Sequence, residues 1–111
     1  MRPLVVVFTP DVADAGALQR AVEQAGGLAV VVTTPEALLP ASEGAAAAVV
    51  DLDADGVGAV LGSLEVPTLG FLERASAQAV DAALAAGCAQ VVPRSAFFRA
   101  LPEVLGAYLG R

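Results

Sequence analysis

Asp51, Asp53 and Asp55 stand at alternate positions at the end of an apolar run. Carboxylates so placed can hold a hard divalent cation, or one of them can accept a phosphoryl group. Both tasks depend on positioned oxygens and neutralised charge. Asp11 follows an earlier apolar run and Arg94 follows the last one. The guanidinium of Arg94 can bind a phosphate bidentately, or it can pair with a carboxylate such as Asp51. Asp51 has a plainer reading too, as a strand-end aspartate that pairs with Arg94 or caps backbone amides. With Gly56, the three aspartates match the opening of a calcium loop. That loop needs Glu at its twelfth position, where this chain has Gly62. Cys88 has no basic neighbour in sequence to activate it as a nucleophile and reads as a small buried hydrophobe.

The residues that are missing narrow the chemistry. The chain has no His, and its six basic residues are all Arg. Without His it lacks the commonest general base and metal ligand. Without Lys it has no Walker-type phosphate loop and no Schiff-base chemistry. The net charge of −6 with no basic patch argues against nucleic acid as a partner. A 57% hydrophobic share argues against disorder. No apolar stretch is long enough for a spanning helix, so no membrane partner is expected. The start, Met1-Arg2-Pro3-Leu4, lacks a signal-peptide cleavage pattern. A lone cysteine fits a reducing compartment. The expected location is the cytoplasm.

Five apolar runs must position these residues: 4–8, 28–32, 46–52, 68–72 and 89–92. Their lack of polar alternation suggests parallel strands buried on both faces. Helical stripes lie between and after them. Leu18, Ala21, Val22 and Ala25 form one, Val57, Val60, Leu61 and Leu64 a second, and Leu101, Val104, Leu105 and Tyr108 a third. A shorter stripe runs through Val80, Ala83 and Leu84. A helix opening at Thr34-Pro35-Glu36 is expected to end at Pro40. Asp11, Asp55, Ser76 and Ser95 are candidate N-caps, and Gly26-Gly27 closes the first helix. Pro102 places the start of the last regular helix near Leu101, after a loose turn over 95–100. Phe97, Phe98 and Tyr108 fit the apolar side of that helix, with Phe98 the best candidate for an exposed contact. The expectation is one domain over 1–111: an α/β, flavodoxin-like (βα)5 doubly wound parallel sheet with strand order 2-1-3-4-5. Sites in such sheets lie beyond the carboxyl ends of the strands. Thr9-Pro10-Asp11, Asp51-Leu52-Asp53, Leu72-Glu73 and Pro93-Arg94-Ser95 would converge there.

Three stretches, in this order and spacing, make the chain resemble response-regulator receiver domains of two-component systems. Ala47-Ala48-Val49-Val50-Asp51-Leu52 resembles the approach to a phosphoacceptor aspartate. Val66-Pro67-Thr68-Leu69 resembles the proline-led fourth strand. The stretch from Ala83 to Ser95 resembles the alanine-glycine turn and the fifth strand. The resemblance implies Asp51 as phosphoacceptor and Arg94 at the lysine position. The acidic pair that binds Mg²⁺ in the family falls on Thr9 and Pro10, the hydroxyl position on Leu72, and the aromatic switch on Val91. Asp11 and Asp53, with Asp51, are the remaining Mg²⁺ candidates.

These departures lead to an expectation of a pseudo-receiver: a signal-transduction module that binds protein without standard aspartyl phosphorylation, and is not an enzyme. No cofactor is expected. The partner, another protein or a second copy, would use the face of the fourth helix, fifth strand and fifth helix, drawing on 78–86 and 97–109. The alternative is a working phosphoacceptor that uses Asp51 and Mg²⁺ with self-catalysed phosphorylation. A third reading, by fold analogy, is a small-molecule-binding domain.

Overall fold

Each apolar run becomes a strand. In the computed structural model, which describes residues 2–110, these are β1 (Leu4–Phe8), β2 (Leu28–Val32), β3 (Ala47–Asp51), β4 (Thr68–Leu72) and β5 (Gln90–Pro93). All pairings are parallel and the order is β2-β1-β3-β4-β5. This is the doubly wound, flavodoxin-like sheet expected from the sequence. The helices are α1 (Val12–Gln24), α2 (Pro35–Ser42), α3 (Gly58–Leu61), α4 (Ala77–Ala85) and α5 (Arg94–Tyr108). No described helix is long and apolar enough to cross a membrane.

Alternation along the strands divides the core. Val5, Val7, Val49, Leu69 and Phe71 pack against α1 and α5, while Val6, Phe8, Ala48 and Val50 pack against the face that holds α2, α3 and α4. β1 and β3, central in the sheet, are almost wholly buried. β2 departs from the expectation of strands buried on both faces. It is an edge strand, and Leu28 and Val30 remain 44% and 36% exposed. Their side chains share a face with Val32, which α2, only eight residues long, covers at one end.

The caps of α1 and α4 follow the sequence. The carboxylate of Asp11 accepts from the Asp14 amide, and the hydroxyl of Ser76 accepts from the Ala79 amide. Gly26, with φ of 91°, turns the chain out of α1. Three expectations fail. α2 continues past Pro40 to Ser42, whose hydroxyl donates to the Leu39 carbonyl at 2.7 Å. α3 is a single turn without a side-chain cap, so Asp55 caps nothing there and only Val57 and Leu61 of its stripe are fully buried. α5 starts at Arg94, with Pro93 rather than Ser95 at its N-cap position and no side-chain cap, and runs through Pro102. An internal proline costs a helix about 3 kcal/mol. Here the helix is held on both sides of it by Phe97, Leu101 and Leu105, all buried at four-residue spacing. Burying side chains of this size contributes about 1.5–3 kcal/mol each, which outweighs the proline.

Candidate functional site

The carboxyl ends of β1, β3, β4 and β5 place the singled-out residues on one rim. Asp51 is the last residue of β3, beside Phe71 of β4. Its carboxylate accepts from the Asp53 amide at 3.0 Å. Burial raises the Asp51 pKa above its ordinary value. The Asp53 amide opposes the shift, and the Asp53 and Asp14 carboxylates reinforce it. The carboxylate of Asp53 in turn accepts from the Glu73 amide at 2.7 Å, tying the loop after β3 to the loop after β4. Of its two plain readings, Asp51 follows the one in which it caps a backbone amide.

Arg94 forms no ion pair with Asp51, although its charge still favours the ionised Asp51 carboxylate. Its guanidinium forms a bidentate pair with Asp14 of α1: Nη1 donates to Oδ2 at 2.6 Å and Nη2 donates to Oδ1. Its Nε lies 3.6 Å from a Glu73 carboxylate oxygen. The same guanidinium lies 5.1 Å from the centre of the Phe98 ring and 5.9 Å from that of Phe71. Phe71 stacks on Phe97 at 5.0 Å and meets Phe98 edge-on at 5.4 Å. The hydrogen bonds that Arg94 donates to Asp14, and the charge of the nearby carboxylates, push the Arg94 pKa up, so the group stays charged. The half-buried Phe98 is therefore engaged inside the domain, under Arg94, rather than offered as an exposed contact.

Asp14 is the site residue that sequence reasoning missed. Its side chain is only 9% exposed. The signal was available, because Asp14 lies four residues before Leu18 and so continues the buried stripe of α1 into its first turn. An acid on a core-facing stripe needs a partner. The nearest carboxylate in the fold takes the base that Asp51 was expected to hold.

The residues on which the resemblance places Mg²⁺ and phosphoryl chemistry make other contacts. Thr9 is fully buried, and its hydroxyl accepts from the Asp11 amide at 3.2 Å. Asp11 is committed to the cap of α1 and Asp53 to the Glu73 amide. Leu72 is 7% exposed and Val91 is packed against the core. Among the described residues, no three His, Cys, Asp or Glu side chains gather to hold a metal ion. Octahedral Mg²⁺ needs hard oxygens converging at about 2.0–2.1 Å. Asp51 accepts from the Asp53 amide, Asp11 and Asp53 are held as described, and Thr9 and Pro10 bring no carboxylate, so Asp11, Asp51 and Asp53 do not converge as that set and the residues present do not fit the ion. Cys88 is buried, and burial raises its pKa, which suits the packing role read from the sequence.

A groove of about 440 Å³ opens beside this rim, between α3 and α4. Leu52, Leu61 and Leu72 form its floor, alanines of α4 form one wall, and Asp53 stands at its mouth.

No protein-family model matches the chain, and no curated protein matches it. Solved structures do. The BeF3-activated DrrB receiver domain superimposes with a TM-score of 0.88 at 16% identity, covering 100% of both chains. A CheY-like receiver domain protein from Methanospirillum hungatei JF-1 gives 0.84 at 16% identity, over 99% of this chain and 95% of that one. HP1043, an orphan response regulator of H. pylori, gives 0.84 at 13% identity, over 98% and 99%. Likeness across the whole length, with five parallel strands in the order β2-β1-β3-β4-β5, leads to one conclusion: this chain has the fold of response-regulator receiver domains.

Proposed function

We propose that the domain is a pseudo-receiver, a signalling module that works by binding protein and does not use standard aspartyl phosphorylation. The observation that carries this reading is the Asp14–Arg94 pair. In a phosphoacceptor, the base after β5 must be free to neutralise the phosphoryl oxygens. Here it is already bound bidentately, with Glu73 and two aromatic rings around it. Leu72 supplies no hydroxyl and Val91 no aromatic ring, so the contacts that would tell a phosphorylated state from a free one are missing. The protein partner binds the face of α4, β5 and α5, where Leu84 is 45% exposed.

The test is an NMR titration with Mg²⁺ and beryllofluoride, a phosphoryl mimic. The expected result is no saturable change at Asp51 or across α4, β5 and α5. Saturable shifts that spread from Asp51 to that face, and vanish in Asp51→Asn, would overturn the proposal and establish Asp51 as a phosphoacceptor.

A further inference from the structure

The groove between α3 and α4 borders the Asp51 rim at Asp53 and Leu72 and uses the flank of α4 that bears Ala79, Ala82 and Ala86, away from Leu84. Its shape follows from two local features. α3 is a single turn, so it leaves the sheet uncovered toward α4. The wall opposite is Ala79, Ala82 and Ala86, whose side chains are single methyl groups. Leucines at 52, 61 and 72 line the bottom. Such a trough takes apolar side chains presented at helical spacing, as in helix-in-groove recognition.

Charge selects the occupant. The loops beside the mouth, 51–57 and 73–76, hold Asp51, Asp53, Asp55 and Glu73 against one basic residue, Arg74. The nearby Arg94 is bound to Asp14. An apolar trough with an acidic mouth complements a helix with one apolar face and basic residues beside it. A second copy of this chain is a poor match, since its net charge is −6. The geometry points to a second docking site: the α3–α4 groove receives a basic amphipathic helix of a partner protein, whose Arg or Lys side chains meet Asp53 and Asp55.

Two matched pools of amphipathic peptides, identical in their apolar positions, would be titrated into the isotope-labelled domain. One pool has Arg and Lys on its polar face and the other has Glu. The basic pool should give saturable amide shifts at Leu52, Leu61, Ala79 and Ala86, and the acidic pool none. Ala82→Arg, at an exposed position on the groove wall, should weaken binding by about tenfold or more. Leu84→Ser, on the opposite flank of α4, should leave it unchanged. Five results would each overturn the inference. These are equal response to both pools, shifts centred on the Leu84 flank, concentration-dependent shifts in the groove without peptide (self-association), occupation by a small probe such as hexylamine but by neither pool, or no response at millimolar peptide.

Discussion

Replacing Arg94 by Met removes the guanidinium and keeps a stem that can still pack on Phe98 and Phe71. The carboxylate of Asp14 is then left buried without its base. Breaking a buried pair from one side costs about 3–5 kcal/mol. The Arg94 side chain is 35% exposed, against 9% for Asp14. Water therefore reaches one partner, and screening lowers the figure to about 2–3 kcal/mol. For a domain of this size, that is a fall in melting temperature of about 10 °C or more. Asp14→Leu should be costly as well, because it strands the guanidinium. The double variant Asp14→Leu/Arg94→Met should recover most of the loss, since an apolar pair of similar volume often replaces a buried ion pair at little cost. Urea unfolding of the four proteins, completed as a double-mutant cycle, measures this directly. A coupling energy below about 0.5 kcal/mol would mean that the two sites behave independently, and the reasoning would be refuted.

Two further outcomes follow from the same rim. Burial holds the Asp51 pKa above its ordinary 3.8, so folding favours the protonated form; that contribution is fully present below the ordinary pKa and is lost as pH rises through the raised one. Asp51→Asn keeps an oxygen for the Asp53 amide and should therefore match the parent in acid and exceed it in stability at neutral pH; a pH series of denaturation curves with the parent more stable at neutral pH would contradict this. Gly70 lies under Leu52, and a Cβ there would sit 2.4 Å from Leu52 Cδ1 and 2.7 Å from its Cγ. Gly70→Ala should cost about 1–3 kcal/mol by overpacking, and Leu52→Ala in the same chain should relieve part of it, as read by thermal melts.

The strands were legible because their apolar runs are unbroken and punctuated. Three of the five match the sequence reading residue for residue, and β3 and β5 differ only at their ends. Helix ends were legible where a side chain makes the cap, at Asp11 and Ser76. They were misread where tertiary burial overrides a local signal. Pro102 is a strong local stop, yet Phe97, Leu101 and Leu105 anchor the helix across it. The site was half legible. Asp51 and Arg94 both reach the rim, but which acid takes the arginine depends on how α1 faces α5, and neither motif encodes that. Asp14 belongs to no motif of the rim. It is visible only as an acid in phase with an apolar stripe.

The Asp14–Arg94 clasp joins residues 80 positions apart, linking the first turn of α1 to the first turn of α5. It cannot close until β1 and β5 occupy the same sheet, with β3 and β4 between them. Such a contact is expected to form late, after most of the loop-closure entropy has been spent. An interaction absent from the folding transition state leaves the folding rate almost untouched and slows unfolding instead. Arg94 thus acts as a latch on the lifetime of the native state: losing it should leave the domain folding as fast as before, but opening far more often.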